Sequence, residues 1–163
     1  MKTIFLSLGS NIDARNHIQR ALEILRSTFF SLEASPVYES EAVGFKGDNF
    51  LNLVVRIESD MELLSLVKQL KLIEDQLGRE RTGPKFSSRV IDIDVIFYGD
   101  ACGEFSGIKL PRYEVYENAY VLLPMKDLEP DFVDPLTGKT IRALWEASKE
   151  KMKAQKIWQV QLV

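Results

Sequence analysis

Apolar positions along this chain follow two spacings, which predict an ordered succession of strands and helices. Apolar residues at every second position, or in short unbroken runs, indicate strands, and spacings of three or four indicate helices. In order, the predicted elements are a strand over 3–8, a helix over about 14–27, strands over 31–40 and 50–58, a helix ending before Gly78, and a strand over 89–98. The element order is therefore β-α-β-β-α-β.

Capping and turn residues refine the ends of these elements. Asp13 is expected to cap the first helix. The spacing of Ser59-Asp60-Met61-Glu62 is that of a capping box and predicts the start of the second helix, which Gly78 ends. Pro36 predicts an edge position or a bulge in the second strand, because proline cannot donate to a strand ladder.

The C-terminal third has a weaker pattern. Its predicted elements are a loop over 100–110 with a short extended piece at 108–110, a short apolar run over 120–123, a helix from 141 to about 149 and a closing strand over 157–163. Pro124 is expected to end the apolar run, because proline interrupts the backbone hydrogen bonds of a helix.

The element order favours an α+β protein with the split βαβ, or ferredoxin-like, arrangement. In that fold an antiparallel sheet carries helices packed on it. The C-terminal third would add further elements around this unit. We expect residues 1–163 to form a single domain, since the chain has no repeat, linker or low-complexity segment.

Composition and charge narrow the classes of function. The hydrophobic content of 45% and charged content of 28% are typical of a globular protein, and a net charge of −3 argues against a broad nucleic-acid surface. The single cysteine, Cys102, excludes an internal disulfide. No apolar run approaches the roughly 20 residues of a membrane span, and Met1 leads directly into a strand, so we expect a cytoplasmic protein.

The stretch 79–98 carries the strongest chemical signal. Its first half supplies four cationic side chains, which are Arg79, Arg81, Lys85 and Arg89. In its second half, Asp92 and Asp94 are two residues apart, so both point to the same face of a strand with Cα atoms roughly 7 Å apart. Such carboxylates repel one another unless a cation lies between them, and oxygen ligands suit Mg²⁺. The cations could bind phosphates, so the stretch predicts a metal–nucleotide site.

A different interpretation of Asp92 and Asp94 is an ordinary solvent-facing pair on a half-buried strand. Their neighbours argue against it, because these are apolar on both sides of the pleat and indicate a central strand covered on both faces. The apolar neighbours are Val90, Ile91, Ile93, Val95, Ile96 and Phe97. Buried carboxylates are costly unless they are used, which favours the metal site.

Several short motifs, in this order and spacing, together resemble the hydroxymethyl-dihydropterin pyrophosphokinase family of folate biosynthesis. The motifs are Gly9-Ser10-Asn11, Phe50-Leu51-Asn52, Glu74 four residues before Gly78, Gly78-Arg79-x-Arg81 and Arg89-x-Ile91-Asp92-Ile93-Asp94. The resemblance covers essentially the whole chain. It implies a ferredoxin-like fold and the transfer of diphosphate from ATP to the hydroxymethyl group of a pterin, with release of AMP.

The resemblance also implies roles for individual residues. It assigns two Mg²⁺ ions to Asp92 and Asp94, and catalysis to Arg81, Lys85, Arg89, Asp92 and Asp94. It assigns ATP binding to Lys71, Glu74, Arg79, Arg81, Arg89, Arg112 and Tyr113. It assigns pterin binding to Ser40, Val43, Phe50, Asn52, Phe86 and Tyr120. The expected partners are therefore ATP and a pterin, without nucleic acid or membrane, for a monomer or weak homodimer.

Four positions depart from the family pattern. Phe86-Ser87-Ser88 stands where the family usually has Trp-Gly-Pro, Arg112-Tyr113 where it has His-Tyr, Asn118 where it has arginine, and Ala42 where proline is common. The metal motif is thus intact while the rim of the substrate site is altered. We expect Arg112 to replace the charge lost at Asn118.

Alternative interpretations follow from the residues alone. A ferredoxin-like domain could serve as a small-molecule sensor, since one fold hosts many functions. The chain could also be a divergent relative that transfers diphosphate to a different acceptor, or one that has lost activity. Glu74 could be an ordinary solvated charge, and Asn52 a structural residue. The general base stays open between Asp94 and metal coordination of the substrate hydroxyl.

Overall fold

A computed structural model describes residues 1–42, 45–78 and 90–162 of the protein. The strands are β1 (Lys2–Ser10), β2 (Leu32–Ala34), β3 (Val37–Ser40), β4 (Phe50–Ser59), β5 (Asp92–Tyr98), β6 (Gly103–Phe105), β7 (Ile108–Leu110) and β8 (Ile157–Val160). The helices are α1 (Ala14–Thr28), α2 (Leu63–Gln76), α3 (Glu114–Glu117), α4 (Ala119–Leu128) and α5 (Ile141–Ser148). Within these ranges, no helix has the length and apolar content needed to cross a membrane.

One antiparallel sheet organises the chain. Its strand order is β5-β1-β4-β3-β8, with β2 also paired to β4, and β6 and β7 form a separate hairpin. The central strand β1 lies between β4 and β5, as a split βαβ unit requires. The predicted α+β, ferredoxin-like fold with C-terminal additions is therefore confirmed.

Helices α1 and α2 pack on one face of the sheet and enclose the larger apolar core. Alternate residues of each strand face these helices, whose own apolar residues recur every three or four positions. The shared core includes Ile4, Leu6 and Leu8 of β1, Ile18, Ala21 and Leu25 of α1, Leu53, Val55 and Ile57 of β4, Leu66, Leu70 and Ile73 of α2, and Ile93 and Val95 of β5.

The C-terminal elements form a second core on the opposite face of the sheet. This core includes Phe5, Val54, Ile96 and Phe97 of the sheet, Val115 of α3, Val121, Leu122 and Met125 of α4, and Ile141 and Leu144 of α5. The ring centroid of Phe132 lies 4.9 Å from those of both Phe5 and Phe97, in edge-to-face contacts. Both faces of β5 are therefore covered at Ile96 and Phe97, as predicted, while Asp92 and Asp94 at its start are partly exposed.

The position of β5 in the sheet differs from the prediction. Within the described residues it pairs with β1 alone, so it is an edge strand rather than a central one. Its apolar residues on both faces reflect two cores above and below the sheet, and they carry no information about hydrogen-bonded neighbours. The strand begins at Asp92 and not at 89, since Val90 and Ile91 precede it.

The second predicted strand is divided into β2 and β3 at Ser35 and Pro36. Ser35 compensates for the break, because its amide donates to Val54 O at 2.9 Å and its Oγ accepts from Val54 N at 3.0 Å. The predicted bulge or edge position at Pro36 is thus confirmed.

Asp13 is the N-cap residue of α1, as predicted, but without the side-chain hydrogen bond of a cap, and the capping box predicted for α2 is wrong. Asp13 has a left-handed conformation with φ of 44° and makes no side-chain cap, and its carboxylate accepts instead from Asn16 Nδ2 at 3.1 Å. Helix α2 has Glu62 as N-cap without a side-chain cap hydrogen bond. Ser59 Oγ accepts from Met61 N at 3.1 Å, so the serine forms a local turn before the helix.

The prediction that Pro124 ends the 120–123 run is also wrong, because α4 passes through it. Proline removes one hydrogen bond to the preceding turn. Pro124 and Met125 are buried with the rest of the apolar side of α4, and this packing against the sheet offsets the loss.

We expect Phe5→Ala to lower the free energy of unfolding by about 3–5 kcal/mol, because it opens a cavity beside two other aromatic rings. Phe5 is 1% exposed, whereas Phe30 is 86% exposed and provides a matched control. Phe30→Ala should change stability by less than about 0.5 kcal/mol in urea unfolding. Equal effects of the two substitutions would contradict the second core.

Candidate active site

The register of three strands brings the acidic pair and Asn52 to one face of the sheet. Gly9 of β1 lies opposite both Asp92 of β5 and Asn52 of β4, and Ser7 lies opposite Asp94. Directly opposed residues point to the same face. Ile93, between the two aspartates, lies in the core on the other face. The prediction that Asp92 and Asp94 share a face is therefore confirmed.

Asn52 has an unsatisfied acceptor in this row. The side chain is 8% exposed, and its Nδ2 donates to Leu8 O at 3.4 Å. Its Oδ1 is buried and has no hydrogen-bond partner in the part of the chain that the structure describes. Leaving a buried acceptor unpaired costs about 1–3 kcal/mol, so the atom is suited to receive a donor from a ligand.

Gly9 leaves the space that the Asn52 amide occupies. A Cβ added at Gly9 would lie 2.6 Å from Asn52 Nδ2, closer than carbon and nitrogen atoms can pack. The glycine of the Gly9-Ser10-Asn11 motif thus permits the close approach across the strand pair, and a side chain at this position would force the Asn52 amide to move. Sequence reasoning found the motif but not this reason for it.

Arg112 brings a positive charge to the acidic pair. Its amide donates to Ile96 O at 3.0 Å, which ties the residue to β5. Its Nε donates to Glu114 Oε2 at 2.7 Å, and its Nη2 lies 3.9 Å from Asp94 Oδ2. Burial lowers the pKa of the Arg112 guanidinium, but the charges of Asp94 and Glu114 outweigh this effect and raise the pKa above its ordinary value.

Glu114 is a residue that the sequence reasoning missed. One of its oxygens holds Arg112, and the other, Oε1, is buried and lacks a hydrogen-bond partner among the described residues. It belongs to the short helix α3, next to Tyr113. The one sign of this role in the sequence is that Glu114 lies two residues after Arg112. Its ion pair with Arg112, however, depends on how this irregular segment folds back onto β5.

The aromatic residues predicted to bind substrate differ in burial. Tyr120 is half-buried, and its hydroxyl accepts from Asn118 Nδ2 at 2.8 Å. Burial raises the pKa of the Tyr120 phenol, and the nearby charge of Glu114 raises it further. Tyr113 is 58% exposed.

At the start of β4, Phe50 is half-buried and lies opposite the buried Ser40 of β3. The register therefore places Phe50 and Ser40 on the same face as Asn52, which pairs with Tyr38 in the next row. Ser40, Phe50 and Asn52 thus form one continuous patch at the end of the sheet.

Helix α2 contributes residues from the opposite side of the sheet. Lys71 is exposed, whereas Glu74 is only 4% exposed. Glu74 Oε2 accepts a hydrogen bond from Ile93 N at 2.7 Å. The interpretation of Glu74 as a solvated charge is therefore wrong, since its helix turns it toward β5 and away from water.

Six predicted site residues lie outside the described residues. They are Val43, Arg79, Arg81, Lys85, Phe86 and Arg89. Their assigned roles stay predictions.

The donor set on this face fits Mg²⁺. Among residues 1–42, 45–78 and 90–162, no group of three or more His, Cys, Asp or Glu residues could form a complete metal cage. Mg²⁺ commonly takes only one or two carboxylates and completes its shell with waters and substrate phosphates. Asp92 and Asp94 supply that number of carboxylates on one partly exposed face.

Comparison with known proteins agrees with this geometry. Residues 5–130 match the family described as 7,8-dihydro-6-hydroxymethylpterin-pyrophosphokinase (HPPK). The 2-amino-4-hydroxy-6-hydroxymethyldihydropteridine pyrophosphokinase of Aquifex aeolicus is 31% identical over 87% of this chain and 89% of its own. The enzyme of the same name from Synechocystis is 33% identical over 86% of this chain and 73% of its own.

Other relatives are longer than this chain. The folic acid synthesis protein fol1 of Schizosaccharomyces pombe is 36% identical over 86% of this chain, which spans only 20% of fol1. The structure of Plasmodium falciparum HPPK-DHPS shares the fold, with a TM-score of 0.75 at 15% identity over 93% of this chain and 42% of that one. By the match over residues 5–130 and these identities, the chain belongs to the 7,8-dihydro-6-hydroxymethylpterin-pyrophosphokinase family.

Proposed function

We propose that this chain transfers diphosphate from ATP to the hydroxymethyl group of 6-hydroxymethyl-7,8-dihydropterin and releases AMP, a step of folate biosynthesis. Family membership and the names of its relatives support pyrophosphokinase activity with ATP as co-substrate. The observation that carries the proposal is the row formed by Asp92, Gly9 and Asn52. This row places the Asp92 carboxylate and an unsatisfied amide oxygen side by side, and Asp94, opposite Ser7, adds a second carboxylate on the same sheet face.

Asn52 is suited to recognise the pterin ring. Its free Oδ1 can accept from a ring N–H or amino group, which would remove the cost of the unpaired acceptor. Phe50 and Tyr120 are proposed to stack on the flat ring, with Ser40 beside them. A ring held in this patch would lie next to the acidic pair on the same face of the sheet.

Asp92 and Asp94 are proposed to hold two Mg²⁺ ions on the phosphates of ATP. The metal would supply neutralisation of the phosphate charge that grows as the diphosphate is transferred. Arg112, whose charge already faces Asp94, is proposed to contact the same phosphates. Arg79, Arg81, Lys85 and Arg89 are proposed to add further positive charge, and Lys71 and Tyr113 to bind the nucleotide. The nucleotide contact that the family resemblance implies for Glu74 stays a prediction.

The transfer itself requires positioning more than covalent help from the protein. The pterin hydroxyl oxygen bonds to the β-phosphorus of ATP, the bond from that phosphorus to the oxygen bridging it to the α-phosphate breaks, and AMP leaves. The hydroxyl proton must be removed, and Asp94 is this chain's candidate acceptor, beside metal coordination of the hydroxyl. A cytoplasmic location and a monomeric or weakly dimeric state stay predictions.

We expect Asp92→Ala and Asp94→Ala each to lower AMP release by roughly 10³-fold or more, because each removes one of two oxygen ligands beside the phosphates. The measurement is a coupled AMP assay with ATP, Mg²⁺ and the pterin. Asp100→Ala is the matched control, since Asp100 is exposed just beyond the far end of β5. Turnover that survives both site substitutions in folded protein would exclude the proposed metal site.

We expect Gly9→Ala to raise the KM for the pterin about tenfold, because the added methyl group would displace the Asn52 amide. Asn52→Leu should have a larger effect, since it removes both the donor and the acceptor. The KM for ATP serves as the internal control and should change less than about twofold. A rise confined to the KM for ATP would contradict the assignment of Asn52 to the pterin.

We expect Arg112→Ala to raise the KM for ATP about tenfold, the equivalent of one charge-assisted hydrogen bond. Arg112→Lys should recover part of this loss, because it keeps the charge without the planar fork. Arg142→Ala is the control, since Arg142 pairs with Asp131 at an exposed position on α5. An Arg112→Ala enzyme with unchanged KM and turnover would remove Arg112 from the phosphate site.

A further inference from the structure

Glu74 is a buried carboxylate directly below the strand that carries the acidic pair. It belongs to the last turn of α2 and is 4% exposed. Its neighbour Ile73 is 1% exposed, and together with Leu70 it anchors the helix in the core beneath the sheet. The position of the Glu74 carboxylate is therefore fixed by the packing of its helix.

The hydrogen bond from Ile93 connects Glu74 to the acidic pair. Glu74 Oε2 accepts from Ile93 N at 2.7 Å in a buried position. Ile93 is the residue between Asp92 and Asp94, and its side chain points to the core while theirs point to the opposite face. The peptide bond between Asp92 and Ile93 is thus held by a hydrogen bond to a side chain of α2.

This support matters because β5 lies at the edge of the sheet. In the described chain it pairs only with β1, and in antiparallel pairs the residues alternate between hydrogen-bonded and non-hydrogen-bonded positions. An edge strand therefore turns every second amide away from its neighbour. The register also shifts between Phe5 and Leu6, so the ladder with β1 is irregular only a few residues beyond Asp94.

We infer that Glu74 is a positioning residue for the acidic pair, an inference that rests on the proposed function. The Glu74 carboxylate accepts the hydrogen bond from Ile93 N and so gives the edge strand β5 a partner besides β1 between Asp92 and Asp94. The side chains of Asp92 and Asp94 then keep their relative orientation before metal and nucleotide bind. Residues that hold metal ligands in place commonly affect metal affinity as strongly as some ligands do.

This role differs from the nucleotide contact that the family resemblance implies for Glu74. A nucleotide contact would depend on the carboxylate charge or its second oxygen, and its loss would change the KM for ATP. A positioning role depends on an oxygen acceptor for Ile93 N, and its loss would change the response to metal. The two roles therefore predict different results for Glu74→Gln, which keeps an acceptor, and Glu74→Leu, which does not.

The decisive experiment compares these two variants in the full chain. Hydrogen exchange of the Ile93 amide is measured by NMR in metal-free protein, and binding of Mn²⁺ is followed by paramagnetic broadening near Asp92 and Asp94. We expect Glu74→Leu to lose protection at Ile93 and to weaken Mn²⁺ binding roughly 10-fold or more. Glu74→Gln should stay within about twofold of the wild type in both measurements.

The same variants are then assayed for AMP release at different Mg²⁺ concentrations. Glu74→Leu should raise the half-activating Mg²⁺ concentration about tenfold, with the KM for the pterin unchanged. Ile73→Ala is the matched control, because it disturbs the same helix turn without removing the hydrogen bond. It should lower the melting temperature and leave the Mg²⁺ response unchanged.

Three results would overturn the inference. Glu74→Gln could raise the KM for ATP as much as Glu74→Leu while Ile93 stays protected, which would make Glu74 a nucleotide ligand. Glu74→Leu could expose the Ile93 amide without any change in metal binding. Ile73→Ala could shift the Mg²⁺ response equally, which would make the effect one of helix packing. A wild-type protein that releases no AMP would instead contradict the proposed function, while the exchange and Mn²⁺ measurements would still decide the role of Glu74.

Discussion

The register of β1 between β4 and β5 is the constraint on which the candidate site depends. Gly9 lies opposite both Asp92 and Asn52, so one position aligns the residues proposed to bind the metal and the pterin ring. A shift of one residue in either pair would turn those side chains into the apolar core, since side chains alternate between faces. Burial of Leu6 and Leu8 of β1 against α1 and α2 makes that shift costly. The larger core therefore fixes the geometry of the site on the opposite face.

The C-terminal elements complete the site by covering only part of that opposite face. Helix α4 packs near the middle of the sheet, where Val54 and Phe97 are buried, while Asp92 and Asp94 retain partial exposure. The chain that leads into α3 brings Arg112 back to β5 through its hydrogen bond to Ile96 O. The second core thus borders the polar patch with buried apolar residues, and the segment before α3 adds the positive charge of Arg112.

Much of this organisation was predictable because it depends on local sequence periods. The alternation in β5 predicted that Asp92 and Asp94 share a face, and the element order predicted the sheet. Two of the failures depend on contacts distant in sequence. Glu74 reads as a solvated charge on a helical wheel, and only the packing of α2 under β5 turns it to Ile93. Pro124 was expected to end the apolar run over 120–123, but burial of α4 in the second core offsets the hydrogen bond that proline cannot make.

The arrangement around Arg112 shows how an altered rim can remain compatible with a phosphate site. Two carboxylates on one strand face repel, and a guanidinium near one of them reduces that repulsion before any metal is bound. Arg112 is not held by Asp94 alone, because its Nε donates to Glu114, a residue outside the sheet. Neutralisation of the aspartates by metal would leave this second contact in place. The cation is thereby retained beside the acidic pair, where a phosphate can receive the donors of the guanidinium that Glu114 does not use.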